Sequence, residues 1–192
     1  QGGKKIQTVL SDEDGEAAFT LLRGGDTELS AALPDGYLFS LNPDGLFSVS
    51  AARDAADASL FLDGTQPPAS FTSALVSAAS VSGLLFEDPV NLGVYQEGYP
   101  LLSGFTVQAV SADGQVALET VTDENGAYTL YPLYPGDYTV RFLLDDAYVA
   151  SPYAAGQTGT VNHIQDQTPE YGETESLSLA PGAVISQVDG AV

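Results

Sequence analysis

Residues 122–151 read TDENGAYTLYPLYPGDYTVRFLLDDAYVAS, and residues 11–40 read SDEDGEAAFTLLRGGDTELSAALPDGYLFS. The two stretches align without a gap at an offset of 111 residues, and 10 of their 30 positions are identical. A fixed period is the signature of repeated structural units, so the sequence predicts two copies of one module. A repeated module favours a modular stalk over a catalyst with a single active site.

The pattern inside the repeat is that of short β-strands joined by tight turns. Apolar and polar residues alternate in 105–109, 138–142 and 177–179, as in strands with one buried face. Asn125-Gly126 favours a two-residue hairpin turn, and Pro135-Gly136 favours a type II turn. Gly and Pro total 31 residues and interrupt long helical windows. The sequence therefore predicts an all-β fold built as antiparallel sandwiches.

The repeat also sets the predicted domain boundaries. Residues 1–70 are predicted to be a partial first β-sandwich repeat, and residues 71–192 a complete second repeat. In the second repeat we predict strands near 81–87, 104–111, 115–122, 127–131, 137–143, 147–150 and 174–180, with a polar excursion at 151–173. The tail 184–192 is predicted to be the start of a further repeat. The incomplete first repeat is expected to borrow a strand from 71–80 or from that tail.

The composition limits what the chain can bind. It has five Lys and Arg residues against 26 Asp and Glu, for a formal net charge of −21. Nucleic acids and anionic membrane surfaces are bound through clustered basic side chains, so neither is a predicted partner. No run of about 18 apolar residues is present, which argues against membrane insertion within this stretch. The acidity indicates solubility through self-repulsion, with binding of divalent cations as the sharper alternative.

The absence of cysteine narrows the chemistry further. Because it contains no cysteine, the chain cannot form a disulfide, cannot use a thiol as a nucleophile and cannot hold zinc through Cys ligands. This does not fix the compartment, because a protein without thiols is equally suited to an oxidising environment.

Three segments carry a family resemblance: 81–88 reads VSGLLFED, 122–128 reads TDENGAY and 133–140 reads LYPGDYTV. Together they resemble the B-type repeats of Gram-positive surface adhesins, namely the SdrD-type B-like and collagen-adhesin B-type domains. The resemblance covers 81–180 well and 6–62 in part. It implies tandem immunoglobulin-like or prealbumin-like antiparallel β-sandwiches. It further implies an extracellular protein, secreted or anchored to the cell wall.

The resemblance also implies a calcium loop after the first strand of the module. Asp88, Asn91 and Glu97 are the candidate calcium ligands there. Calcium takes six to eight oxygen ligands, usually from alternating loop positions. Val90 and Leu92 occupy two of those positions, so the alternative is an ordinary acidic loop.

A second feature of some family members is an intramolecular isopeptide bond between a Lys, an Asn or Asp and a nearby acid. The second copy contains no Lys. Only Lys4 or Lys5, in the first copy, could therefore form such a bond. The alternative is that these two residues are a solvated pair near the N-terminus.

Other candidate sites come from the residues themselves. His163 is the single histidine, and Asp166 lies nearby, but no GxSxG elbow accompanies them, which favours a plain loop histidine. Among the tyrosines of the second copy, the candidate ligand-binding residues are Tyr131, Tyr134 and Tyr153, because outward aromatic rings can stack on sugars or pack on a partner. The alternative is that the tyrosines form cross-strand pairs and fill the core.

One basic residue has a predicted partner of its own. Arg141 lies between Val140 and Phe142, so alternation along a strand should point it to the opposite face from these two. We expect it to pair with an acid such as Asp137 or Glu119.

Taken together, the sequence predicts a non-enzymatic structural repeat module that acts as a stalk or spacer and presents an adhesive head. The predicted partners are neighbouring repeats of the same chain, with a host protein or a glycan as a further candidate. The alternative is a ligand-binding adhesin module that uses exposed Tyr residues and the 151–173 loop. A third hypothesis is an accessory domain of a secreted enzyme.

Overall fold

The computed structural model describes residues 8–16, 27–40, 57–62 and 74–192. These residues form β1 (Thr27–Ala32), β2 (Tyr37–Phe39), β3 (Asp57–Leu62), β4 (Leu75–Ser77), β5 (Ala79–Phe86), β6 (Thr106–Ser111), β7 (Val116–Val121), β8 (Ala127–Leu133), β9 (Gly136–Leu143), β10 (Ile164–Gln167), β11 (Tyr171–Thr174), β12 (Leu177–Leu179), β13 (Val184–Ile185) and β14 (Gly190–Ala191). No helix occurs among them, so the all-β prediction is confirmed for this part of the chain. A helix able to cross a membrane is accordingly not found in the described ranges.

The strands fall into two compact units. In the smaller unit β1 pairs antiparallel with β3, with Thr27 opposite Leu62. The larger unit combines residues 74–192 with residues 33–40 from the first copy of the repeat. In it β2 pairs antiparallel with β4, which lies inside the 71–80 segment. The paired strands β1 and β3 correspond to β9 and β12, which are also paired antiparallel.

The larger unit is a sandwich of two sheets. One sheet has the order β10-β11-β9-β6-β7, with β12 also paired to β9. The other sheet has β5 at its centre, flanked by β8 and by the tail strands β13 and β14. Between the described strands every pairing is antiparallel except the two that join the tail to β5.

Alternation along the strands builds one core from both sheets. On β9 every second side chain, Tyr138, Val140 and Phe142, is buried. Phe142 meets the ring of Tyr128 on β8 edge to face, with 5.5 Å between the ring centroids. Burial of each large apolar side chain contributes about 1.5–3 kcal/mol, so this shared face holds the two sheets together.

A turn is present at Asn125-Gly126 between β7 and β8, but the hairpin prediction is wrong, because β7 pairs with β6 in one sheet and β8 pairs with β5 in the other. The Asp123 carboxylate accepts hydrogen bonds from the amides of Asn125 and Ala127, and Gly126 has a φ of 67°. The Pro135-Gly136 prediction is wrong in detail. Gly136 has a φ of 156°, far from the value near 80° of a type II turn, and it begins β9 directly.

Two further segments differ from their predicted secondary structure. Residues 147–150 form no strand, because the chain turns there with the amide of Tyr148 donating to Asp145 O at 3.1 Å. The polar excursion at 151–173 contains β10 and most of the short, polar β11. Both strands carry too few apolar residues to show a period of two, which explains why the pattern missed them.

Candidate functional site: the tail strand and its buried anchors

The tail, residues 184–192, lies alongside the whole length of β5 and runs in the same direction. Val184 is opposite Ser80 near the start of β5, and Ala191 is opposite Phe86 at its end. Between these pairs the amide of Val188 donates to Ser82 O at 3.1 Å. The first and last strands of the module are therefore joined directly by backbone hydrogen bonds.

Close backbone approach in the middle of this pair requires a glycine at position 83. A Cβ built on Gly83 would lie 2.2 Å from the carbonyl oxygen of Val188. That same oxygen accepts a hydrogen bond from the hydroxyl of Tyr128, a side chain that is 4% exposed. Any larger residue at Gly83 would push the tail away from β5.

The side chain of Asn162 links the tail to the segment at residues 151–152 by hydrogen bonds. Its side chain is fully buried, and its Oδ1 accepts from the amides of Ile164 and Ala191 at 3.0 and 3.1 Å. Its Nδ2 donates to Ser151 O at 2.6 Å and to Pro152 O at 3.3 Å. All hydrogen-bonding groups of this amide are thus used, which makes its burial favourable.

Asp189 is a second buried polar group of the tail. Its Oδ1 accepts from the amide of Leu84 at 2.8 Å, whereas its buried Oδ2 has no hydrogen-bond partner among the described residues. Its own amide donates to Nδ1 of His163 at 3.2 Å. Burial raises the pKa of Asp189 more than the Leu84 amide and His163 lower it. Burial, and then the nearby charge of Asp189, raise the pKa of Tyr128.

The predicted calcium ligands differ in their burial. Asp88 is buried, with Oδ2 accepting from the amide of Gly93 at 2.6 Å and Oδ1 without a partner among the described residues. Asn91 and Glu97 are exposed. Within the described ranges no three His, Cys, Asp or Glu side chains are grouped to hold a metal. Among the described residues the loop supplies one buried carboxylate oxygen without a partner, whereas calcium takes six to eight oxygens, so calcium binding at Asp88, Asn91 and Glu97 stays a prediction.

Of the three candidate tyrosines, Tyr131 and Tyr134 lie at one end of the sandwich and Tyr153 lies at the other. Tyr131 is on β8, whose Leu133 pairs with Ala79 at the start of β5, and Tyr134 follows that strand. Tyr153 lies in a groove of about 330 Å³ shared with Asn91, which follows the end of β5. Since β5 is eight residues long, about 25 Å separates its ends. The structure therefore does not bring the three rings into one binding surface.

Arg141 has a different partner from the one expected. Its guanidinium lies 2.8 Å from Glu173 and 4.1 Å from the ring centroid of Tyr171, both on β11. Glu119 instead accepts from the side-chain amide of Gln108. The expectation failed because β11, which lies next to β9, was not recognised in the sequence. Lys4 and Lys5, the candidates for an isopeptide bond, lie outside the described residues.

Sequence reasoning missed the central groups, Asn162 and Asp189. His163, which it dismissed as a plain loop residue, takes part in holding Asp189. The one available signal was the position of Asn162 and Asp189 among apolar neighbours, at Val161 and at Val188. That signal is weak, because neither residue belongs to a motif with a known spacing.

The chain is similar in sequence to several known proteins. Residues 79–192 match the family model of the SdrD B-like domain. Colossin-A of Dictyostelium discoideum is 32% identical over 186 residues, which are 93% of this chain and 2% of that protein. Serine-aspartate repeat-containing protein F of Staphylococcus epidermidis is 25% identical over 167 residues, 80% of this chain and 9% of that protein. Serine-aspartate repeat-containing protein D of Staphylococcus aureus (strain Newman) is 24% identical over 165 residues, which are 81% of this chain and 12% of that protein.

Among solved structures, the minor pilin GBS52 of Streptococcus agalactiae is similar with a TM-score of 0.35 and 13% identity, over 83% of this chain and 61% of that one. The chain spans only a small part, 2–12%, of the three sequence relatives named above. The family match covers more than half of the chain and contains both β5 and the tail that closes on it. This protein therefore belongs to the SdrD B-like domain family.

Proposed function

We propose that the chain is a non-enzymatic, load-bearing spacer of an extracellular surface protein, either secreted or anchored to the cell wall. In this role it holds an adhesive head at a distance and carries tension along the chain. Its partners are neighbouring repeats of the same chain. The relatives support a role in a protein built from repeats, because the names of the staphylococcal proteins state that they contain repeats.

The observation that carries this proposal is the parallel pairing of β5 with the tail. Tension enters the module at Ala79, at the start of β5, and leaves at Val192, beyond the other end of the pair. The two strands are then pulled past each other, so their hydrogen bonds are loaded together in shear. A pair loaded at one end would instead open one bond at a time. The arrangement therefore resists extension along the chain.

The buried anchors reinforce the same pair. Asn162 fixes Ala191, and Tyr128 fixes Val188, so the tail is held by side chains as well as by β5. His163 accepts a hydrogen bond from the amide of Asp189, which gives it a structural use. These contacts support a mechanical rather than a catalytic role.

Single-molecule force spectroscopy tests the proposal by changing the direction of pulling. The 192-residue chain is held by handles at its two ends, and rupture of the module is identified by about 400 Å of released contour length from residues 79–192. In the comparison experiment the N-terminal handle is attached instead to the thiol introduced by Val90→Cys, while the C-terminal handle stays in place. This thiol is unique because the chain has no cysteine, and it lies next to the end of β5. That geometry loads the tail from one end and unzips it.

We expect a rupture force several times higher for end-to-end pulling than for pulling from position 90, because forced unfolding is governed by the unfolding barrier in the direction of load. Equal forces in the two geometries would refute the load-bearing role. Val90 is 53% exposed, so the substitution itself should leave the melting temperature unchanged, which serves as the control.

A ligand-binding module is the second candidate, and the groove beside Tyr153 favours it. Tyr153 is 42% exposed, and the groove is lined by uncharged residues, including Gln165 and Gln167. Aromatic rings next to amide groups suit a sugar or a peptide. A glycan array probed with the chain and with Tyr153→Ala tests this function. Binding that is lost in the variant would support it, and an array without signal would count against a glycan.

A further inference from the structure

The two copies of the repeat carry the same backbone contact at equivalent serines. In the first copy the amide of Ser40 donates to Ala74 O at 2.8 Å. In the second copy the amide of Ser151, its repeat equivalent, donates to Ala191 O at 2.9 Å. Ala74 and Ala191 are therefore structural equivalents, and the segment after Ala74 corresponds to the chain from Ala191 onward.

In the first copy this contact continues into a strand pair. After Ala74, β4 pairs with β2, so that Leu38 is opposite Val76. The pair closes with the amide of Ala78 donating to Gly36 O at 2.8 Å. Leu38 is 3% exposed in this arrangement. Residues 74–78 then lead directly into β5, so β2 braces the strand that enters the second copy.

In the second copy no strand of the described part of the chain pairs with the equivalent edge. Val149 is the repeat equivalent of Leu38 and is 74% exposed. The turn before each edge closes with the same backbone contact, because the amides of Tyr37 and Tyr148 donate to Pro34 O and Asp145 O at 3.3 and 3.1 Å. The turns differ at their third residue, since Gly36 has a φ of 86° and its equivalent, Ala147, has no positive φ. The two edges thus share the backbone contacts that flank them, and they differ in the turn conformation and in whether a described strand lies against them.

The chemistry of this edge matches the strand that pairs with the other one. Val149 and Ala150 line the groove described beside Tyr153, and none of its lining residues is charged. Residues 74–80, read ALVSAAS, are uncharged too. In a chain with a net charge of −21, an uncharged edge facing an uncharged strand avoids the like-charge repulsion that acidic surfaces would produce.

We propose that the edge at residues 148–150 is a docking seat for an uncharged extended strand with the sequence character of residues 74–78. The occupant is the lead-in strand of a following copy of this module, paired antiparallel as β4 pairs with β2. This inference rests on the proposed spacer function and names the joint through which one spacer module would brace the next.

A chain extension tests the seat directly. The sequence of residues 76–80, VSAAS, is appended after Val192, which is the equivalent of Leu75, and the control chain carries the extension GSGSG. Each chain carries Val149→Cys, a unique thiol because the protein has no cysteine. We expect the VSAAS extension to slow thiol labelling at position 149 by at least about tenfold, since a covered site reacts only through local opening.

The second thiol position and a charge variant complete the experiment. Val184 is 77% exposed and pairs near the start of β5, away from the proposed seat. The labelling rate of Val184→Cys should therefore be the same in both extended chains. Val149→Asp in the VSAAS chain should remove any gain in melting temperature over the GSGSG chain. Equal labelling at position 149 in the two extended chains would overturn the docking seat. It would leave the force measurement, which concerns β5 and the tail, untouched.

Discussion

The two copies of the repeat agree in their turns and differ in what the turns pack against. Asp12 accepts from the amides of Asp14 and Glu16, as Asp123 does from Asn125 and Ala127. Gly15 and Gly126 have φ angles of 80° and 67°. A Cβ at Gly126 would lie 2.6 Å from Leu85 O, whereas one at Gly15 would meet nothing within 4 Å among the described residues.

Local sequence therefore specifies the turn, and packing determines how much the turn contributes to the free energy of unfolding. The Asp side chain and the left-handed glycine suffice to fold the turn in either place. In the second copy the same turn also abuts β5, so its contribution to stability is larger. The same contrast holds for the two serine contacts, one braced by a strand pair and the other by a buried amide.

The largest expected effect comes from removing that buried amide. Asn162→Ala leaves four hydrogen-bonding backbone groups without partners, and we expect a loss of more than about 3 kcal/mol in the free energy of unfolding. Urea unfolding followed by tyrosine fluorescence measures it. Hydrogen exchange should quicken at Ala191 and stay unchanged at Leu38, whose contact belongs to the first copy.

Gln165→Ala is the matched control, because Gln165 is an exposed neighbour whose side chain reaches only Glu175. Its expected cost is within about 0.5 kcal/mol. If Asn162→Ala cost no more than this control, the buried amide would not be the anchor of the tail.

The two turn glycines give the next largest effect. Gly126→Ala places a Cβ 2.6 Å from Leu85 O at a positive φ, and we expect a cost of about 2–4 kcal/mol. Gly15→Ala should lower the free energy of unfolding by only about 1 kcal/mol, because its one cost is the positive φ. Calorimetric melts of both variants measure the difference. Equal costs at the two positions would show that the β5 contact adds nothing to the turn.

Much of this comparison was available from the sequence, and the reason is local. The Asp-x-x-Gly spacing at Asp123 encodes its own hydrogen bonds, so the turn and its repeat could be predicted without tertiary information. Strands β6, β8 and β9 were predictable because they bury alternate side chains over much of their length. The family resemblance, resting on the same segments, is confirmed by the family match.

The rest depended on contacts between distant segments. Asn162 and Ala191 are 29 residues apart, and nothing in either neighbourhood announces the other. Arg141 was given the wrong partner because its true neighbour, Glu173, lies on a strand too polar to recognise. Buried polar anchors resemble loop residues in sequence, since their partners are backbone groups that carry no sequence signal.

A smaller effect concerns pH and Asp189. Its folded-state pKa is raised by burial, so its protonated form favours folding, and that stability is lost as pH rises from the unfolded value of 3.8 through the folded pKa. Asp189→Asn removes this loss, so the stability of the variant relative to the parent should increase between acid and neutral pH. Urea unfolding across this pH range measures the trend.

Asp113→Asn provides a control of opposite sign for that experiment. A hydrogen bond from Ser111 lowers the pKa of Asp113, so the stability it contributes is lost as pH falls through the folded pKa. The parent should therefore gain on this variant as pH rises. Parallel pH profiles for the parent and Asp189→Asn would contradict the role of burial at Asp189.

The smallest expected effect is that of calcium on the loop at Asp88. The loop closes through the bond from Gly93 to Asp88, and Val90 and Leu92 are 53% and 61% exposed where further oxygens would be needed. Millimolar calcium should therefore raise the melting temperature by less than about 1 °C relative to chelator, because stabilisation by a ligand scales with its occupancy of the folded state. A rise of more than about 5 °C, abolished by Asp88→Asn, would restore the calcium hypothesis. It would also make the loop, and not only the tail, a feature that separates the second copy from the described part of the first.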